Sequence, residues 1–99
     1  MRHKEEFSPP LDAGIAPAVL VLRAGGIETF ESCEGGKKHS FPEPAVRFHG
    51  GIGEGFRALG IALTHALPVS ELRRAWSIDD GVPDGPYWEL VFCRRLDNS

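Results

Sequence analysis

The chain switches between two hydrophobic periods in the same order twice, and this alternation restricts its fold more than any other feature. Ile15, Ala18, Val19 and Leu22 recur at i, i+3, i+4 and i+7, which predicts a helix with one apolar stripe closed by Gly25-Gly26. Ile27 to Cys33 and Ala45 to His49 then read as strands, the second with Val46 and Phe48 on one face and Arg47 and His49 on the other. After Gly50-Gly51 the helical spacing returns in Phe56, Leu59, Leu63 and Ala66, and Leu67-Pro68 stops it. Leu72 to Ile78 and Tyr87 to Arg94 alternate again, with Trp88, Leu90 and Phe92 opposite Tyr87, Glu89, Val91 and Cys93.

The order α-β-β-α-β-β predicts an α+β, two-layer sandwich: one four-stranded sheet with both helices on its apolar face. Its strand order is expected to be third, fourth, second, first, with the fourth strand central and parallel to the second. This resembles a circularly permuted ferredoxin-like arrangement. Asp12 is the expected N-cap of the first helix, with Pro17 tolerated near its start. Gly60 is expected where the second helix packs closely on the sheet. Asp79-Asp80-Gly81 and Pro83-Asp84-Gly85-Pro86 supply a hairpin with a rather long loop. Residues 1–10, broken at Pro9-Pro10, read as a flexible lead-in, 11–96 as the domain and 97–99 as a tail.

A chain of 99 residues supports one domain and removes only about 60–65% of its unfolded surface from water, so its core must use nearly every large apolar group. The 41% hydrophobic content suits a folded protein. A net charge of −3, with basic residues scattered as Lys37-Lys38, Arg73-Arg74 and Arg94-Arg95, disfavours nucleic-acid binding, which rests on clustered Lys and Arg. No apolar run is long enough to cross a bilayer, and no signal-like segment opens the sequence, so a cytoplasmic protein with its two cysteines reduced is expected.

Cys33, His39, His49 and Cys93 raise the question of a metal, but their spacing fits no ribbon or finger, and the topology separates Cys33 from His49 and Cys93. Cys33 with His39 as base is the arrangement an enzyme would need. Glu31 and Glu34 oppose it, because nearby carboxylates disfavour a thiolate. Glu28, Glu31, Glu34 and Glu43 converge on no substrate pocket, and Gly50-Gly51-Ile52-Gly53-Glu54-Gly55 lacks the Lys-Ser/Thr ending of a phosphate loop. No cofactor is implied.

The polar sheet face is the more informative surface. Alternation assigns it Thr29, Glu31, Arg47, His49, Arg73, Tyr87, Glu89 and Cys93. Only Tyr87 is placed to stack on a base, which argues against RNA, whereas Tyr and Arg are common anchors at protein interfaces. Glu31, Arg47, His49, Arg73, Tyr87 and Glu89 are therefore the expected partner-binding residues.

Gly26-Ile27-Glu28-Thr29, Ser32-Cys33-Glu34-Gly35-Gly36, His39, Pro44 and Val46-Arg47-Phe48, continued by Trp76, Asp80-Gly81 and Gly85-Pro86-Tyr87-Trp88-Glu89, resemble a group of short bacterial and prophage-type proteins. That resemblance implies no activity and carries no functional residue. The sequence reads best as a non-enzymatic protein-binding domain. Its concrete form, by analogy with small mobile-element inhibitors, is an anti-defence protein occluding a CRISPR effector or another nuclease complex. The competing readings are an enzyme or metal protein using Cys33 and His39, and a homo-oligomeric structural module, of which a homodimer is the simplest form.

Overall fold

The structure is a computed structural model and describes residues 12–36 and 42–96. Its elements are α1 (Ala16–Ala24), β1 (Thr29–Cys33), β2 (Ala45–Phe48), α2 (Ile52–Thr64), β3 (Val69–Asp79) and β4 (Val82–Phe92). The strands form one sheet in the order β1-β2-β4-β3, as the sequence leads one to expect. One expectation about direction fails: β4 is antiparallel to β2, pairing Val46 with Leu90 and Phe48 with Trp88. The crossover through α2 returns the chain in the direction of β2, so β3 runs with β2. The hairpin reverses it, and β4 fills the gap between them antiparallel to both.

Each helix packs through its apolar side onto the same sheet face. Ile15, Ala18, Val19 and Leu22 from α1 and Ala58 and Ala62 from α2 meet Val46, Phe48, Trp88, Leu90 and Phe92 in one buried cluster. The buried stripe of α2 is not the one its large residues suggest: Gly55, Ala58 and Ala62 face inward, while Phe56 and Leu63 are exposed. The reason is Trp88. A methyl carbon at Gly55 would stand 2.4 Å from its ring, and the indole Nε1 donates to the Gly51 carbonyl at 2.8 Å, so only a small-residue helix face fits above it. Gly55, not Gly60, is the close-packing glycine; Gly60 faces open space.

The helix ends follow one rule. After α1, Gly26 is left-handed (φ +87°), the N–H of Ile27 bonds the carbonyl of Leu22 and that of Gly26 bonds Arg23, the paired bonds of a Schellman motif. After α2 the same bonds run from Leu67 to Ala62 and from Ala66 to Leu63, but the left-handed residue is Ala66 (φ +58°). At the start of α1 the cap position is Ile15, not Asp12. Asp12 contributes its backbone carbonyl, which accepts from the N–H groups of Ile15 and Ala16.

The second hairpin is longer and tighter than the turn residues suggest. Asp79 pairs with Val82 around a two-residue turn in which Asp80 (φ +53°) and Gly81 (φ +78°) are both left-handed, the geometry favoured by Asp-Gly. Pro83-Asp84-Gly85-Pro86, expected in the loop, lies inside β4, where the pairing is irregular. The expected lead-in, residues 1–10, and tail, residues 97–99, lie outside the described residues.

Candidate functional site

The sheet face turned away from the helices carries a row of alternating charge across all four strands. Glu31 of β1 is opposite Arg47 of β2, Arg47 opposite Glu89 of β4, and Glu89 opposite Arg73 of β3. The side chains follow the register. Arg47 Nη1 donates to Glu31 Oε1 at 2.9 Å and its Nε to Glu89 Oε2 at 3.0 Å, while Arg73 Nη1 donates to Glu89 Oε1 at 3.2 Å. Arg73 also bonds Glu71 and stands 3.9 Å from Glu43. A cavity of about 200 Å³ beside this row is lined by Pro42, Glu43, Ala45, Arg47, Arg73, Glu89 and Val91.

Glu89 is only 7% exposed, so its charge is tolerated because two guanidinium groups bond its two oxygens. Burial alone works against the cationic form of Arg47. The hydrogen bond to Glu89, with the electrostatic attraction of Tyr87, Glu31 and Glu89, outweighs it and raises the guanidinium above its ordinary pKa. Arg73 is also raised, chiefly by its hydrogen bond to Glu71, which outweighs the loss of hydration, with further help from the charges of Glu71 and Glu89 and the hydrogen bond to Glu89. Both guanidinium groups of the row are thus held in their cationic form.

An aromatic group adjoins the charges. Tyr87, also 7% exposed, lies under the Arg47 guanidinium at 5.0 Å from ring centroid to Cζ, and its hydroxyl is 2.9 Å from Ser77 Oγ. Phe30 meets Tyr87 edge-on at 5.5 Å and stacks on His49 at 4.3 Å. Simple alternation sends Phe30 to the helix side, opposite Thr29 and Glu31. A register irregularity between Thr29 and Glu31 puts it on the outer face instead, which sequence reasoning missed for that reason, and turns Thr29, expected on that face, to the helix side, where it opposes Phe48 and its hydroxyl accepts from Arg23 of α1. Glu43 and Glu71 were also missed as partners of Arg73.

All six expected partner-binding residues therefore lie on one face, five of them joined directly and His49 through Phe30. They differ in availability: Glu31, His49 and Arg73 are exposed, Arg47 is half-buried, and Tyr87 and Glu89 are buried.

The other candidates are dispersed. Cys33 is buried at the end of β1, where the N–H of Gly35 approaches its sulfur at 3.4 Å, and Cys93 is exposed beyond β4. His39 lies outside the described residues, and among the described residues no three metal-ligating side chains converge. Glu34 bonds the N–H of Gly14 at 2.7 Å and pairs with Arg95 at 3.1 Å, away from Glu31. The glycine-rich stretch before α2 offers carbonyls inward, Gly50 to Arg74 and Gly51 to Trp88. No described helix is long and apolar enough to cross a membrane. Comparison with family models, with curated proteins and with solved structures yields no match.

Proposed function

We propose that this is a non-enzymatic protein-binding domain that meets its partner with the outer sheet face. Phe30 and His49, stacked and exposed beside a charge row whose geometry is already fixed, are the observation that carries the reading. Glu31, His49, Arg73 and Phe30 make the contacts. Arg47, Tyr87 and Glu89 lie beneath and hold them in place, which lowers the ordering cost of binding. A protein partner with a complementary charged rim and an apolar or aromatic centre suits this arrangement.

The concrete form is cytoplasmic occlusion of a CRISPR effector or another nuclease complex, and it rests on analogy with small mobile-element inhibitors. Purified nuclease effectors passed over the immobilised chain test it, with nuclease activity read in parallel. Phe30→Ala with His49→Ala, and separately Arg73→Glu, are expected to weaken binding by about tenfold or more. If no effector is bound or inhibited, the anti-defence form is wrong. If an effector binds the variants as it binds the parent, the face is wrong.

A further inference from the structure

The two edges of the sheet are protected unequally. β1 is five residues long and interrupted by its irregularity at Phe30, whereas β3 is eleven residues long and, among the described residues, hydrogen-bonds to β4 on one side and to no strand on the other. Beyond the irregularity at Ser70, the pairing with β4 shifts once more, between Ala75 and Ser77, but there Ala75 pairs with Tyr87 and Ser77 with Asp84, so the extra residue lies on β4 and β3 itself keeps its alternation. Arg73, Ala75, Ser77 and Asp79 point to the outer face, and Arg74, Trp76 and Ile78 to the helix side. Trp76 is 56% exposed and Ile78 68% exposed, large apolar groups on a segment that neither helix covers.

We infer that β3 is a self-pairing edge and that its occupant is a second copy of this chain, joined antiparallel about a two-fold axis at Trp76. Each side chain must then oppose one on the same face, which allows only registers centred on a residue. A centre at Trp76 sets Arg73 against Asp79 of the second copy twice, Ala75 against Ser77, Arg74 against Ile78, and the two indoles against each other. The neighbouring centres are worse. At Arg73 or Arg74 like guanidinium groups face each other, at Ala75 Glu71 faces Asp79, at Leu72 the ladder runs into the irregularity at Ser70, and nearer the turn it shortens. The chosen register matches opposite charges at both ends and buries the exposed apolar residues between them. It extends the sheet to eight strands and leaves the outer face open over β1, β2 and β4, so it shares only Arg73 with the face of the proposed function.

Sedimentation equilibrium of the intact chain over a range of concentrations tests this, with twice the chain mass expected at high concentration. Asp79→Lys, an exposed substitution beside the turn, is expected to weaken association by about tenfold or more by setting a cation against Arg73. In a Cys93→Ser background, Trp76→Cys is expected to cross-link to itself under oxidation and Ile78→Cys not to, because only the former lies on the axis. A single chain mass at every concentration overturns the inference, as does dimerisation indifferent to Asp79→Lys. Equal cross-linking of the two cysteine variants overturns the register.

Discussion

The molecule is two α-β-β units built on one plan and finished differently. Both helices end in the same pair of backbone bonds, and both are followed by an antiparallel strand pair. The first unit places its second strand in the core: β2 has three buried residues of four and lies between β1 and β4, while β1 at the edge is buried only at Cys33. The second outruns it. β4 is exposed over its first five residues and buried over its last six, because only the latter stretch has β2 beside it and helices above. One strand therefore serves as core at one end and as a projecting arm at the other. Its residue types change with the role, from Val-Pro-Asp-Gly-Pro to Tyr-Trp-Glu-Leu-Val-Phe.

The sharpest way to break this contrast is to remove one large side chain from each unit. Phe48→Ala, fully buried between the helices and the sheet, is expected to cost about 3–5 kcal/mol in urea unfolding, whereas Ile78→Ser near the tip should change stability by less than about 0.5 kcal/mol. Next comes the charge row joining the units. Glu89→Ala is expected to cost about 1.5–3 kcal/mol, because a buried anion bonded by two arginines is lost, while Arg47 keeps Glu31 and Arg73 keeps Glu71.

The glycines of α2 give a pair with opposite signs. Gly55→Ala is expected to destabilise by about 1–3 kcal/mol by driving a methyl into an indole pinned at Nε1, and Gly60→Ala to stabilise by about 0.5–1 kcal/mol. The helix ends give a second such pair. Gly26→Ala imposes a side chain on a left-handed residue at a cost of about 1 kcal/mol, and Ala66→Gly relieves the same strain with a gain of at most about 1 kcal/mol; thermal unfolding of both checks the equivalence of the two motifs.

The smallest effect is acid-linked. The hydrogen bond from Arg57, opposed by slight desolvation and aided by its charge, lowers the pKa of Glu54 in the first turn of α2. A lowered folded-state pKa contributes stability that is complete above the unfolded-state value and fades as pH falls through the folded one. Glu54→Gln should therefore trail the parent slightly at neutral pH and converge with it in acid.

The element order, the strand order and, apart from Thr29 and Phe30 at the irregularity of β1, the membership of the polar face were legible because each depends on period alone. What was not legible depends on shape or on a single inserted residue. Phe56 and Leu63 look like the buried stripe of α2 until the size of Trp88 is set against the space beneath the helix, and that comparison crosses some thirty residues of chain. Phe30 changes face through a local irregularity that leaves no compositional mark. The direction of β4 relative to β2 does follow from chain order: a crossover that leaves β3 parallel to β2 and a two-residue hairpin after it make β4 antiparallel to both. The availability of the six polar residues could not be read at all, since alternation assigns a face and not a depth.

Glu34 has a consequence that is mechanical rather than chemical. It takes the N–H of Gly14 and the guanidinium of Arg95, while the N–H of Leu96 reaches the carbonyl of Gly14 at 2.8 Å, so the stretch entering α1 and the stretch leaving β4 lie side by side. Tension applied through those two stretches would peel this corner open one bond at a time before it loaded the paired strands. The molecule should accordingly yield softly when stretched from residues 12 and 96, and resist far more when gripped across the sheet.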